Sequence, residues 1–135
     1  MALQLSTAVR NAMLDAIETA IGTTAVLKIR TGAAPASAAA ADSGTVLATL
    51  TLPSDWMAAA SSGSKAKSGT WEDTSADAAG TAAHYRIYAS DGTTCHLQGT
   101  VTATGGGGDM VVDNAVFAAG QSFTITSYSW TAPNA

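Results

Sequence analysis

The spacing of apolar and polar positions changes once along the chain, at Gly22. Before it, Val9, Met13, Ala16, Ile17, Ala20 and Ile21 recur on one stripe at the 3.6-residue period of a helix. Arg10, Asn11, Asp15 and Glu18 lie mostly opposite. Ser6 or Thr7 can cap the start, because a short hydroxyl accepts from an unpaired first-turn amide. Gly22 is free to take the positive φ of a C′ residue. The spacing predicts a helix over Thr7–Ile21, about 22 Å long at 1.5 Å per residue.

After Gly22 the period is two. Thr24–Arg30 reads as a strand with Ala25, Leu27 and Ile29 on one face and Lys28 and Arg30 on the other. Thr31–Ser43 is a loop broken by Pro35, with alanines that offer little to pack. Thr45–Leu52 is the next strand, with Val46, Ala48, Leu50 and Leu52 inward, and Pro53 ends it for want of an N–H. Between Ser54 and Ala79 the pattern is weakest. Trp56 and Met57 are expected to cover one end of the core, Ser61–Ser64 to form a flexible turn, and Ala66–Trp71 a short strand.

A hairpin is the clearest feature of the second half. Ala82–Ser90 places Tyr85, Ile87 and Ala89 on one face, and Thr93–Thr102 places Cys95, Leu97 and Val101 on one face. Asp91-Gly92 between them is the pair favoured in a two-residue type I′ turn. Gly105–Gly108 reads as a flexible loop. Met110–Asp113 and Ser122–Trp130 complete the strands. Phe123 and Ile125 differ in parity from Tyr128 and Trp130, which a bulge near Ser127 would reconcile.

The fold class this predicts is mainly β: an antiparallel β-sandwich, with the jelly roll among its forms, carrying one N-terminal α-helix. Residues 1–22 form the arm and helix and residues 23–135 the sandwich, within one domain. A chain of 135 residues suits a single core. The helix has two open placements, over an end of the sandwich or against a neighbouring subunit. Contact between subunits is favoured, since a sandwich rarely needs a helix to complete its core.

Composition narrows the function. Charged residues are only 12%, about half of ordinary usage, so short Ala, Thr, Ser and Gly side chains make a neutral surface. Such side chains lose little entropy when ordered against a partner. The net charge is −4 without a Lys/Arg cluster, so nucleic acid is not an expected partner. No apolar run reaches a membrane span, and the first residues lack the basic and apolar regions of a secretory signal. One cysteine, Cys95, excludes an intrachain disulfide and fits synthesis in a reducing cytosol.

Candidate chemistry is sparse. His84 and His96 are expected on polar strand faces, where a pair could hold a metal only with a third ligand; two exposed strand histidines are the expectation. Cys95 faces the core by parity and is expected to be inert. Glu72, Asp73 and Asp77 cluster in a polar loop without a calcium-loop pattern, and Asp109 and Asp113 flank a short strand. The four-glycine run lacks the Lys-Ser/Thr of a phosphate loop. No nucleophile, base and orienter occur together. The expectation is a non-enzyme without catalytic residues, cofactor or metal. Large side chains remain as anchors: Val9, Met13, Ile17 and Ile21 on the helix, with Tyr88 and Trp130, are the candidate subunit-interface residues.

Several segments carry a resemblance. Lys28-Ile29-Arg30-Thr31-Gly32, then Pro35, then Gly44-Thr45-Val46-Leu47-Ala48-Thr49-Leu50 resembles small structural proteins of tailed phages, in which a strand, a "TG-x-x-P" loop and an "LA-x-L" strand recur. Gly80-Thr81-Ala82, Tyr85-Arg86-Ile87, Asp91-Gly92-Thr93, Gly120-Gln121-Ser122 and Pro133 fit the same pattern. These are turn residues and alternating strands, which define a scaffold and mark no active site. The resemblance implies a virion component, most simply a capsid decoration (cement) protein present in many copies. Its implied partners are further copies of itself and the major capsid protein or tail proteins. A tail tube, tip or fibre-associated component is the alternative, and a carbohydrate-binding module another.

Overall fold

The structure is a computed structural model and describes residues 3–132. Among the described residues it is mainly β with one helix, and its sheet is mixed but largely antiparallel. Helix α1 spans Thr7–Ile21, and strands β1 Val26–Arg30, β2 Val46–Thr51, β3 Ser64–Ala66, β4 Glu72–Asp73 and β5 Gly80–Thr81 follow. Then come β6 His84–Tyr88, β7 Cys95–Ala103, β8 Met110–Val112, β9 Val116–Phe117 and β10 Phe123–Thr131.

One sheet holds eight strands: seven in a hydrogen-bonded path of order β2-β1-β6-β7-β8-β10-β3 and β4 added on β10; β5 and β9 pair separately. The path curls until β4 approaches β2. There Thr49 N donates to Asp73 Oδ2 at 3.3 Å and Asp77 N donates to Leu47 O at 2.7 Å. Opposite parts of the inner surface thus face one another, an arrangement compatible with two packed layers.

Alternation dictates what fills the interior. Ala25, Leu27 and Ile29 of the β1 segment are fully buried, as their parity requires. In β2 a register shift pairs Ile29 with Ala48 and Arg30 with Val46, so Leu47 and Ala48 are buried in succession. A second shift between Ile125 and Ser127 lets Phe123, Ile125 and Tyr128 all face inward, the bulge the sequence asks for. Trp56, Trp71, Tyr128 and Tyr85 form the aromatic centre, with successive ring centroids 6.0, 5.6 and 5.3 Å apart. The Trp56 indole donates to Gly22 O at 3.0 Å and so ties the end of α1 to the core.

Several turns depart from expectation. The type I′ turn forms at Ser62-Gly63, where φ is +53° and +74° and Ser61 and Ser64 exchange both backbone hydrogen bonds. That turn is tight, where the sequence suggests flexibility, and its strand is Ser64–Ala66 instead of Ala66–Trp71. At Asp91-Gly92 the loop is longer: Ala89 N donates to Thr94 O across it. The Asp91 carboxylate takes the Thr93 and Thr94 amides and the Thr94 hydroxyl, competing with a two-residue turn. These bonds hold its carboxyl well below the usual range. The glycine loop is also held. It turns the chain within residues 104–109 so that β8 runs parallel to β7, a connection that ordinarily takes a dozen residues or more. Gly106 and Gly108 lie against Thr102, with a Cβ on either falling 2.5 or 2.9 Å from its side chain.

Candidate functional site

Helix α1 is attached by its polar side. Ser6 Oγ accepts from Val9 N at 3.3 Å and starts it. Arg10 Nη2 donates to Ala132 O at 3.0 Å, and its guanidinium lies over Gly63, where a Cβ would come within 2.3 Å of it. Asn11 Oδ1 accepts from Gly63 N, and Asp15 Oδ1 from Ala60 N. Lys65 of β3, almost wholly buried, spends all three ammonium hydrogens on this contact: Asp15 at 2.7 Å, Glu18 at 2.8 Å and Ala58 O at 2.9 Å. Burial pushes the Lys65 ammonium down, but the two carboxylates outweigh it and hold it above its ordinary value. The Lys65 hydrogen bond holds Asp15 below its own. Leu14 and Ile21 complete the buried side.

The apolar stripe therefore faces out. Val9 is 47% exposed, Met13 43% and Ile17 36%, and Leu3 ahead of the helix is 80% exposed. Ala8, Ala12, Ala16 and Ala20 are exposed beside them. No charged side chain of α1 lies on this side, because Arg10, Asp15 and Glu18 are all engaged beneath. Between α1 and the strands runs a cleft of about 680 Å³ whose walls include Met13, Ile17, Leu97, Tyr128 and Trp130. Trp130 is half-buried at its edge, its indole donating to Tyr128 Oη at 2.7 Å.

Of the six interface candidates, the structure thus gathers Val9, Met13, Ile17 and Trp130 along one surface. It removes two. Ile21 is buried, because it lies at the helix end that turns into the core. Tyr88 is fully buried, because the 31–44 loop covers the outer face of β1 and β6.

That loop is an ordered cover. Arg86 Nη2 donates to the carbonyls of Ser37, Ala38 and Ala40, and Gln98 Nε2 to Pro35 O. Asp42 hangs from the loop over the strands. Its Oδ2 accepts from Arg30 at 2.9 Å, and its Oδ1 accepts from Arg86 Nη1 and from the Tyr88 hydroxyl at 2.7 Å. Burial pushes the Asp42 carboxyl up, but these partners outweigh it and hold it below the usual carboxylate range. The alanines serve here as backbone, supplying carbonyls close enough for a buried guanidinium.

The sparse chemistry of the sequence resolves into fasteners. His84 is buried, contrary to expectation, with Nδ1 on Gly32 O at 2.7 Å. His96 is exposed. His84 pairs with Thr100, four residues along β7 from His96, so about 13 Å of strand separates the two rings' positions. Cys95 is half-buried, not in the core, because the β6–β7 register skips His96 and sets Cys95 opposite Tyr88 on the outer side. Asp73 and Asp77 are bonded to β2, Asp109 to Thr100, and Asp113 to the Thr124 amide. Among the described residues no three His, Cys, Asp or Glu gather as a metal site, and no helix is long and apolar enough to cross a membrane. Pro133, part of the phage-protein pattern, lies outside the described residues.

Comparison with protein-family models, with curated proteins and with solved structures finds no match to this chain.

Proposed function

We propose that this chain is a structural protein of a tailed-phage particle, a capsid decoration (cement) protein that binds the shell in many copies and has no catalytic role. The observation that carries the reading is the orientation of α1. A helix at a protein surface ordinarily turns its apolar stripe to the core and its charges to water. Here the charges are fixed beneath and the apolar stripe is presented, beside a cleft edged by Trp130. Exposed apolar surface of this kind marks a protein partner. A low-charge exterior and strands whose polar groups serve as fasteners accord with a scaffold assembled by contact. The resemblance in the strand and turn pattern supplies the particle.

Cryo-electron microscopy of purified particles tests this. Density for the chain repeating over the shell, with α1 at a contact, is the expected result. Density confined to the tail moves the role to tail architecture, and absence from the particle removes the virion reading.

A further inference from the structure

We infer that the outer face of α1 pairs with the same face of a second copy, antiparallel across a two-fold axis. This deepens the proposed function, on which it rests for its setting, by naming the first partner of that surface.

The helix presents a matched ridge and groove. Val9, Met13 and Ile17 stand at i, i+4 and i+8, and the exposed row Ala12, Ala16 and Ala20 runs beside them with the same spacing. Helices pack by seating one such row in the groove of another. A two-fold axis makes each contact occur twice, so one helix that carries both a ridge and a small-residue row meets its own needs.

Charge selects the same partner. The chain carries −4 overall, so most approaches between two copies are repulsive. The outer face of α1 itself carries no charged side chain, and Asp109, bonded to Thr100, is the charged residue lining the adjoining cleft among the described residues. The ends of α1 also lack the usual compensation: no acidic residue lies in the first turn and no basic residue in the last. An antiparallel copy brings the positive end of one helix dipole beside the negative end of the other. An acidic partner finds no cation on the helix face to pair with, and a basic one meets only Asp109, already bonded to Thr100, in the cleft.

Area sets the strength. The outer side of a helix about 22 Å long and 10 Å across offers on the order of 350 Å². A stable interface takes about 800 Å² from each partner. The helix face alone supplies less than half, and the cleft walls with Trp130 and the exposed Leu3 must supply much of the rest. The pair is therefore reversible in dilute solution and populated at the density of copies on a particle.

The test is sedimentation equilibrium of the full chain across a hundredfold concentration range, beside oxidative cross-linking of Ala16→Cys in a Cys95→Ser background. A reversible dimer is expected, with Ile17→Asp raising its dissociation constant about a hundredfold. Ala16→Cys should cross-link to a dimer far faster than Thr51→Cys on β2. Circular dichroism shows whether Ile17→Asp is folded; if it is not, the cysteine pair decides. A monomer at every concentration, or equal cross-linking at both positions, overturns the pairing. Monomers that still decorate particles overturn it while leaving the proposed function standing. A dimer absent from particles does the reverse.

Discussion

Replacing Asp42 by alanine should be the most damaging single change on the outer face of the sheet. Its carboxylate is the counter-charge for Arg30 and Arg86, whose side chains are 8% and 1% exposed, and it accepts the buried Tyr88 hydroxyl. Removing one partner of a buried ion pair costs about 3–5 kcal/mol, because the other charge stays buried without compensation. Asp42 itself is 38% exposed, so water can follow the deletion and the lower end applies. About 3 kcal/mol, with an m-value of about 1.5 kcal/mol/M, moves the urea midpoint down by about 2 M. Asp42→Asn, which keeps an acceptor but not the charge, should fall between. Adding Arg86→Met to Asp42→Ala should recover part of the loss, since the stranded charge goes with it. The pH dependence has a defined sign. The folded-state pKa of Asp42 lies below its unfolded value of about 3.9, so its contribution is complete above that pH and is lost as pH falls further. An Asp42→Ala midpoint within about 0.5 M of the parent, or a double variant no better than additive, would refute the reasoning.

Other consequences can be checked with the same purified chain. Its three tyrosines, Tyr85, Tyr88 and Tyr128, are all buried, and burial raises each, Tyr128 to about 12. Phenolate absorbance should therefore lag an unfolded control above pH 10, and stability should fall there, since a raised folded-state pKa contributes only below it. Gly63→Ala should lose about 1–2 kcal/mol in urea, because φ is +74° and the new Cβ meets the Arg10 guanidinium; an unchanged midpoint would count against the α1 docking. Cys95→Ser should alter stability by less than about 1 kcal/mol, as the thiol is half-buried and makes only a long contact to Leu97 O; a larger loss would return Cys95 to the core.

Elements built on local periodicity were legible in the chain. Helix α1 begins and ends where its stripe and caps place it, and the parity conflict between Ile125 and Tyr128 foretold the bulge. A stripe does not say which side of a helix will be covered. The stripe leaves both placements open, and contacts distant in sequence decide for the outward one: Lys65 on Asp15 and Glu18, Ala132 on Arg10 and Gly63 on Asn11. The cover over Arg30, His84, Arg86 and Tyr88 was hidden for a related reason. Their alternation marks them as outward, and the alanine-rich loop that buries them acts through backbone carbonyls and the single carboxylate of Asp42, which no periodic side-chain pattern displays. Asp91-Gly92 misled because the aspartate hydrogen-bonds its own loop, while the less conspicuous Ser62-Gly63 makes the tight turn.

The two faces of α1 answer to different solvents. Its grip on its own domain runs through Lys65, Asp15, Glu18 and Arg10, with the Asp15 side chain about half exposed. Dissolved ions screen exposed charges over about 8 Å at physiological strength and buried pairs much less. Its outer face is apolar, and strongly hydrated salts such as sulfate tighten apolar contact. Lys65 is almost wholly buried, and Leu14 and Ile21 of α1 are buried as well, so sulfate leaves that grip largely intact while tightening any apolar contact the outer face makes. Concentrated salt therefore raises the hold of α1 on a neighbour without freeing it from its own fold.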